Sequence, residues 1–269
     1  KLLPFLFITY LIMEYIEHKT SNKIRETIKK SGRFGPLFGA VVGIFPQCGF
    51  SVSATNLYAA RVISLGTLIS VYLATSDEML PILLTESVPI ATILTILGIK
   101  LFLGIVAGFI IDFVANVIKK EEEEKIEEIC EHEHCHCDKG IFSSALKHAI
   151  NIAIFIFVIT LILNGIIKFI GEDKISHFIS NNVILGPVIA GLIGLIPNCA
   201  ASVIITNMYL QKVISFGSMM AGLLTGAGIG LAVLFKTNNE IKENIKIVVL
   251  LYSIGVIVGI VIDTLGIMI

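Results

Sequence analysis

The sequence predicts an all-α, polytopic membrane protein built from two copies of one helical unit, and three observations predict it. Of 269 residues, 55% are hydrophobic and only 15% charged, with mean hydropathy +0.90, whereas soluble domains carry about 25% charged residues. A shift of 151 residues lays the chain on itself without a gap. Each copy also holds an apolar stretch broken by Gly, Pro, Ser, Thr and Asn, at 35–58 and at 186–209.

The formal net charge of −1 hides a partition. Residues 119–140 hold nine of the 21 acids and four of the 20 bases, leaving a mildly basic body. A nucleic-acid binder needs a basic patch or stripe, and the sequence has none. Taken in chain order, stretches 2–16, 62–84, 90–118, 148–170, 213–235 and 246–268 approach the roughly 20 apolar residues a span needs. The first is short and starts at Lys1 rather than Met, so a truncated or processed start is expected. No charged region with a small-residue cleavage site marks a signal peptide. Segments 17–34 and 171–183 are polar and amphipathic, suited to the membrane interface. The broken stretches 35–58 and 186–209 suffice for one interrupted span or two half-helices each.

In the self-match, Gly35-Pro36 falls on Gly186-Pro187, Gly43 on Gly194, and Pro46-Gln47-Cys48 on Pro197-Asn198-Cys199. Ser51 meets Ser202, Thr55-Asn56 meets Thr206-Asn207, Tyr58 meets Tyr209, and Val62-Ile63-Ser64 meets Val213-Ile214-Ser215. Gly66, Gly104, Gly108 and Asp112 meet Gly217, Gly255, Gly259 and Asp263. Many of these are polar residues that shared apolar composition does not produce. Secondary transporters are commonly built from such repeats, with the substrate site where discontinuous helices meet near the bilayer midplane. The division read from the repeat is a first transmembrane unit 1–118, a linker 119–147 and a second unit 148–269. Lys19, Lys23, Arg25, Lys29, Lys30 and Arg33 crowd 17–34, whereas 168–185 carries only Lys168 and Lys174. Because basic loops stay cytoplasmic, the imbalance favours inverted repeats, provided 35–58 is a re-entrant hairpin. The linker and the 236–246 loop then face the cytoplasm, and Thr85–Val88 faces outward.

The linker packs Cys130, His132, His134, Cys135, His136 and Cys137 among acids. Thiolate and imidazole suit zinc, copper(I) and nickel, and short Cys/His tracts read as metal binding. The spacing lacks the separated pairs of a zinc finger, so an exchangeable site for zinc or a similar ion is expected. Clustered cysteines agree with a reducing compartment.

Within the apolar body, Gln47, Cys48, Ser51, Thr55 and Asn56, with Asn198, Cys199, Ser202, Thr206 and Asn207, form two equivalent polar sets beside a helix-breaking proline. Amides, hydroxyls and carbonyls can replace part of a hard cation's hydration shell, while thiols add affinity for softer ions. Asp77, Glu78 and Lys100 lie in apolar spans, where ionisable residues are costly and mark function. Their counterparts, Gly228, Ile229 and Leu251, are uncharged. The expectation is that Lys100 neutralises one carboxylate while the other binds cation or carries a proton. Asp112 and Asp263 are secondary candidates, lining vestibules or pairing with Arg61 and Lys212. Tyr58 and Tyr209 read as interfacial anchors.

The stretch GIFPQCGFSVSATNLYAARVISLGTLISVYLATSDEMLPILL and its second copy, GLIPNCAASVIITNMYLQKVISFGSMMAGLLTGAGIGLAVLF, resemble the ten-helix heavy-metal exporters. That family is related to arsenic permeases and often labelled as manganese transporters. The resemblance covers essentially the whole chain, and the paired Pro-x-Cys motifs are its most specific part. It implies an efflux permease of a prokaryotic inner membrane, with Pro46, Cys48, Asn56, Asp77, Glu78, Pro197, Cys199 and Asn207 as carried-over positions. Five helical pieces per half give its ten.

The expected function is therefore secondary export of a metal ion bound between the repeats, in the lipid bilayer, with no resident cofactor required. Manganese leads, because it favours carboxylate, amide and carbonyl ligands; arsenite or another thiophilic species is the alternative, and a metal sensor or channel the third. A homo-oligomer is left open. No Walker A pattern and no His-Glu-x-x-His occur, so an enzyme is not expected.

Overall fold

The computed structural model describes residues 34–45, 48–76, 79–118 and 184–267, with seven helical positions between 150 and 162. The expected span 2–16, the segments 17–34 (Phe34 apart) and 171–183, most of 148–170, the Cys/His linker, and Gln47, Asp77 and Glu78 lie outside the described residues, as does the side chain of Cys48. Among the described residues the regular structure is all helical. The first unit has α1 (Gly35–Gly43), α2 (Cys48–Ala59), α3 (Leu65–Ala74), α4 (Met79–Thr85) and α5 (Ile90–Ile118). The second has α6 (Leu185–Gly194), α7 (Cys199–Leu210), α8 (Phe216–Thr225), α9 (Gly230–Thr237) and α10 (Ile241–Thr264). The 151-residue shift that aligns the sequences also aligns these helices, from α1 on α6 to α5 on α10, with starts agreeing to within one residue.

Among the described residues four stretches are long and apolar enough to cross a membrane: Leu65–Thr85, Ile90–Ala115, Phe216–Thr237 and Ile241–Thr264. The first and third are each two helices in line, α3–α4 and α8–α9, and are 75% and 83% buried. The unbroken pair, α5 and α10, is only 28% and 33% buried, with hydropathy of 2.4 and 2.7. Interrupted helices thus occupy the centre and continuous ones the lipid side. That division follows from backbone chemistry, because freed amides and carbonyls at membrane depth must be satisfied inside protein. The second broken stretch, expected as one interrupted span or two half-helices, resolves into α6 and α7, and the first into α1 and α2.

The last span starts at Ile241 rather than 246, so Lys242 and Lys246 belong to the helix and the preceding loop shrinks to Asn238–Glu240. Asn244 causes this: its Nδ2 donates to the Asn238 carbonyl at 2.8 Å, fastening the first turn to the end of α9.

Small residues set the packing inside each unit. Gly35 faces Thr67, Gly39 faces Thr67 and Val71, and Gly43 faces Val71 and Ala74, so α1 runs alongside α3 in the same direction. Gly108 faces Gly66 and Gly104 faces Ser70, so α5 runs antiparallel to α3. The second unit repeats the scheme, with Gly194 against Gly222 and Gly259 against Gly217. Close approach through glycine is the usual way membrane helices gain dispersion contact without a hydrophobic drive.

The antiparallel seam ends in a clamp. Ser64 caps α3, accepting from the Thr67 amide at 3.1 Å, and donates to Asp112 Oδ2 at 2.7 Å. Asp112 Oδ1 takes the Gly66 amide at 2.8 Å. Ser215, Asp263 and Gly217 repeat this at 2.6 and 2.8 Å. Each carboxylate satisfies orphan donors where the helix dipole favours an anion. Asp112 and Asp263 are therefore helix-to-helix fasteners, their oxygens taken by serine and backbone.

The two units exchange contacts reciprocally, α2 on α9 and α7 on α4, while α3 and α8 pack on each other at the centre. Such mutual pairing is that of an isologous interface. The core there is Leu68, Ile69, Tyr72 and Leu73 against Met219, Met220, Leu223 and Leu224.

A Cβ at Gly66 would collide with the Gly108 carbonyl and the Asp112 carboxylate. Gly66→Val should therefore cost at least the roughly 1–3 kcal/mol of an overpacked core, and Gly217→Val the same, read as a lowered thermal midpoint of the detergent-purified protein.

Candidate functional site

The helices are interrupted between α1 and α2, α3 and α4, α6 and α7, and α8 and α9; among the described residues those beside the α3–α4 and α8–α9 breaks are mostly buried, whereas Phe45 before α2 is exposed. At the α6–α7 break, Asn198 sits in extended conformation, is buried, and caps α7 by accepting from the Ala200 amide at 3.3 Å. Cys199 opens α7 with a partly exposed side chain, and its carbonyl accepts from Ser202 at 2.8 Å. Thr206 donates to the Ser202 carbonyl at 2.7 Å, a back-bond that relieves a helical threonine of its polarity. Thr55 does the same in the first unit, to the Ser51 carbonyl at 2.7 Å.

Thr55 does more. Its single hydrogen goes to Ser51, so the 2.6 Å contact with Tyr72 is a bond in which the phenol donates. The Gly230 carbonyl of the opposite unit lies 3.2 Å away. Ser51, Thr55 and Tyr72 are all buried, joining α2, α3 and α9 in one polar knot. A methyl group at Gly230 would stand 3.1 Å from both Ser51 Cβ and the Tyr72 ring, so only glycine keeps this junction tight.

Asn56, the next residue along α2, is 1% exposed, yet neither its amide nitrogen nor its oxygen has a hydrogen-bond partner. Buried amides are nearly always satisfied, and an orphan costs about 1–3 kcal/mol. Its counterpart Asn207 is partly exposed, as is Ser202.

Lys100 is fully buried, and its Nζ donates to the Leu223 carbonyl at 2.8 Å. That carbonyl belongs to the last turn of α8, where carbonyls lack intrahelical donors and the dipole favours a cation. Lys100 thus reaches from the first unit into a helix break of the second. At the α3–α4 break, buried Thr75 and Ser76 turn their hydroxyls to the Val71 and Ala74 carbonyls at 2.8 and 3.0 Å.

Among the described residues no three His, Cys, Asp or Glu side chains gather to hold a metal. The polar groups described at and near these breaks are amides, hydroxyls, carbonyls and one ammonium. Sequence reading missed Tyr72, Gly230 and Glu243. Tyr72 hid in an apolar run, and its importance comes from its bond to Thr55, 17 positions away, and its packing at Gly230 of the other unit. Tyr58 is not an interfacial anchor: it is 3% exposed and donates to Glu243 Oε1 at 2.5 Å.

Comparison with protein families returns one described as "Putative, 10TM heavy-metal exporter", matched over residues 2–156 and 139–268. The chain belongs to this family. No curated protein and no solved structure matches it. Membership makes the chain a multi-pass membrane protein of a family described as exporters, which is a transporter and not an enzyme class, and its long apolar helices agree with a membrane location. The two matched segments also fit the two structural units.

If the exporter keeps Asn56 for a ligand rather than for folding, Asn56→Leu removes a desolvated orphan. It should leave the thermal midpoint unchanged or raised, while Thr55→Val, which breaks the Tyr72 bond, should lower stability by about 1 kcal/mol.

Proposed function

We propose that the protein is a secondary transporter that exports a metal ion by alternating access, with inverted repeats and the ion bound at mid-depth between them. The observation that carries this reading is the opposed direction implied for the equivalent helices α5 and α10. Asp112, near the end of α5, is fastened to Ser64 and Gly66. Three residues before Ser64, Arg61 is paired with Glu243 in the first turn of α10 at 2.8 Å. The end of α5 and the start of α10 therefore share a face. α10 has 24 residues, about 36 Å at 1.5 Å each, so it ends on the other face, beside Ser215 and Gly217. Equivalent helices pointing opposite ways are the mark of inverted-topology transporters.

The same contacts support a re-entrant hairpin in each unit. α1 follows α3 inward from its start, and α2 returns to the face of Arg61. With α3 ten residues long, about 15 Å, the hairpin tips, the breaks after α3 and α8, and Lys100 all come near mid-depth. That is where Gln47, Cys48, Asn56, Asp77 and Glu78 would meet Asn198, Cys199 and Asn207. The Arg61 face is then cytoplasmic, since α5 leads from it into the linker. There Cys130, His132, His134, Cys135, His136 and Cys137 would collect or buffer ion on the side from which a prokaryotic inner-membrane exporter loads.

Oxygen and amide donors favour manganese; the partly exposed Cys199 favours arsenite as the second reading. Flux into proteoliposomes, followed with metal-sensitive dyes, tests both. Wild-type protein should move manganese, and absence of flux for manganese, zinc, iron and arsenite alike would sink the transporter reading. Manganese flux that survives Cys48→Ser/Cys199→Ser marks an oxygen-ligand site, whereas arsenite flux lost in the same variant assigns the thiols to cargo.

Lys100 supplies a charge-balance test. Lys100→Leu alone should impair transport more than Lys100→Leu combined with Asp77→Asn or Glu78→Gln, because the single change strands a carboxylate at depth. If neither double variant recovers flux, the pairing is wrong.

A further inference from the structure

On the transporter reading above, we propose that Arg61, Glu243 and Tyr58 form a gate that closes one face of the protein and must part for the ion to pass there. Arg61 grips Glu243 through two parallel bonds, Nη1 to Oε1 and Nη2 to Oε2, both 2.8 Å. Tyr58 donates to Oε1 at 2.5 Å and Asn238 to Oε2 at 3.1 Å. The guanidinium also lies 5.6 Å from the Tyr58 ring centroid. The pair joins the end of α2 in one unit to the α9–α10 turn of the other, across the interface that alternating access has to open.

The backbone turn that carries Arg61 sets where its side chain goes. Arg61 has φ +56°, the left-handed conformation at a helix end that glycine usually fills. The Val62 amide bonds the Leu57 carbonyl at 2.9 Å and the Arg61 amide bonds Tyr58 at 2.8 Å, which completes a Schellman turn. The turn aims the arginine at Glu243, which sits in the first turn of α10 where the dipole favours an acid. Its side chain and that of Arg61 are 24% and 23% exposed, so water can replace the bonds on opening, which a buried pair would forbid.

The gate is one-sided. Lys212, the counterpart of Arg61, keeps the same turn with φ +58°, but Glu243 is matched by Thr92 and Asn238 by Ser87. Burial follows the lock. Ser51, Val52, Asn56 and Tyr58 on α2 are buried, whereas Ser202, Val203, Asn207 and Tyr209 on α7 are partly exposed. The described conformation is therefore the one closed on the Arg61 face, and among the described residues the opposite face shows no equivalent Arg–Glu pair.

Labelling sealed vesicles tests this, using a variant in which Cys199 is the sole cysteine and a membrane-impermeant maleimide is applied to either face. Glu240→Cys marks the Arg61 face in a parallel preparation. Arg61→Ala and Glu243→Gln should each raise Cys199 labelling from that face by up to about fivefold, the population shift expected on losing an exposed ion pair. The exchanged pair Arg61→Glu/Glu243→Arg should restore slow labelling. Grafting the lock across, with Lys212→Arg/Thr92→Glu, should slow labelling from the opposite face instead. Unchanged labelling in the single variants, or an equal rise from both faces, overturns the gate. Manganese and arsenite flux by the same substitutions in native-cysteine protein is read separately: flux absent even from the parent defeats the transport reading, while the labelling result stands by itself.

Discussion

A helix that stops part-way through a bilayer leaves up to four amide donors or carbonyl acceptors with no water to turn to. This chain interrupts its helices at four places, and among the described residues those flanking the α3–α4 and α8–α9 breaks are mostly buried while the α6–α7 break is half-buried. Side chains do the satisfying. Asn198 takes the Ala200 amide at the start of α7, and Lys100 takes the Leu223 carbonyl near the end of α8. Thr225, at the end of α8, lies within 2.9 Å of the Gly191 carbonyl and so joins α8 to α6. The uninterrupted α5 and α10 can then face lipid, because their own hydrogen bonds are complete. Central broken helices, peripheral whole ones and the polar knot around Thr55 all descend from that single requirement.

Glycine and aspartate translate the requirement into packing. Where Gly66 meets Gly108, the backbones of α3 and α5 come close enough for the Asp112 carboxylate to reach the amide end of α3. The clamp depends on the absence of a side chain as much as on the presence of one. Its duplication at Gly217, Gly259 and Asp263, with bond lengths within 0.1 Å, shows how closely the units agree where the load is structural. They differ where the interface faces water.

Much of this was legible in the sequence because it is repeated. Gly, Pro, Ser and Asp recurring at a fixed shift marked the breaks, the caps and the unit boundaries, and every pair of described helices obeys that shift. What stayed hidden is which distant residues meet. Glu243 reads as an ordinary acid beside two lysines, and its partner Arg61 lies 182 residues away. Tyr58, paired in sequence with Tyr209, suggested a shared anchoring role, but its phenol is buried and bound to Glu243. Asp112 was visible as a special residue, though not as a cap, since the Ser64 hydroxyl it meets is 48 positions distant. Lys100 was flagged by its cost in an apolar span; only the fold reveals that the helix it serves belongs to the other copy.

Lys100 carries a further consequence. Were the two units separate, identical polypeptides assembling as a symmetric pair, any lysine at this position would be present twice, at 100 and again at 251, and two ammonium groups would compete across the shared core. Joining the copies in one chain removed that obligation. Position 251 is leucine and position 100 lysine, both fully buried. A single chain can thus bury a charge in one unit without repeating it at the equivalent position of the other.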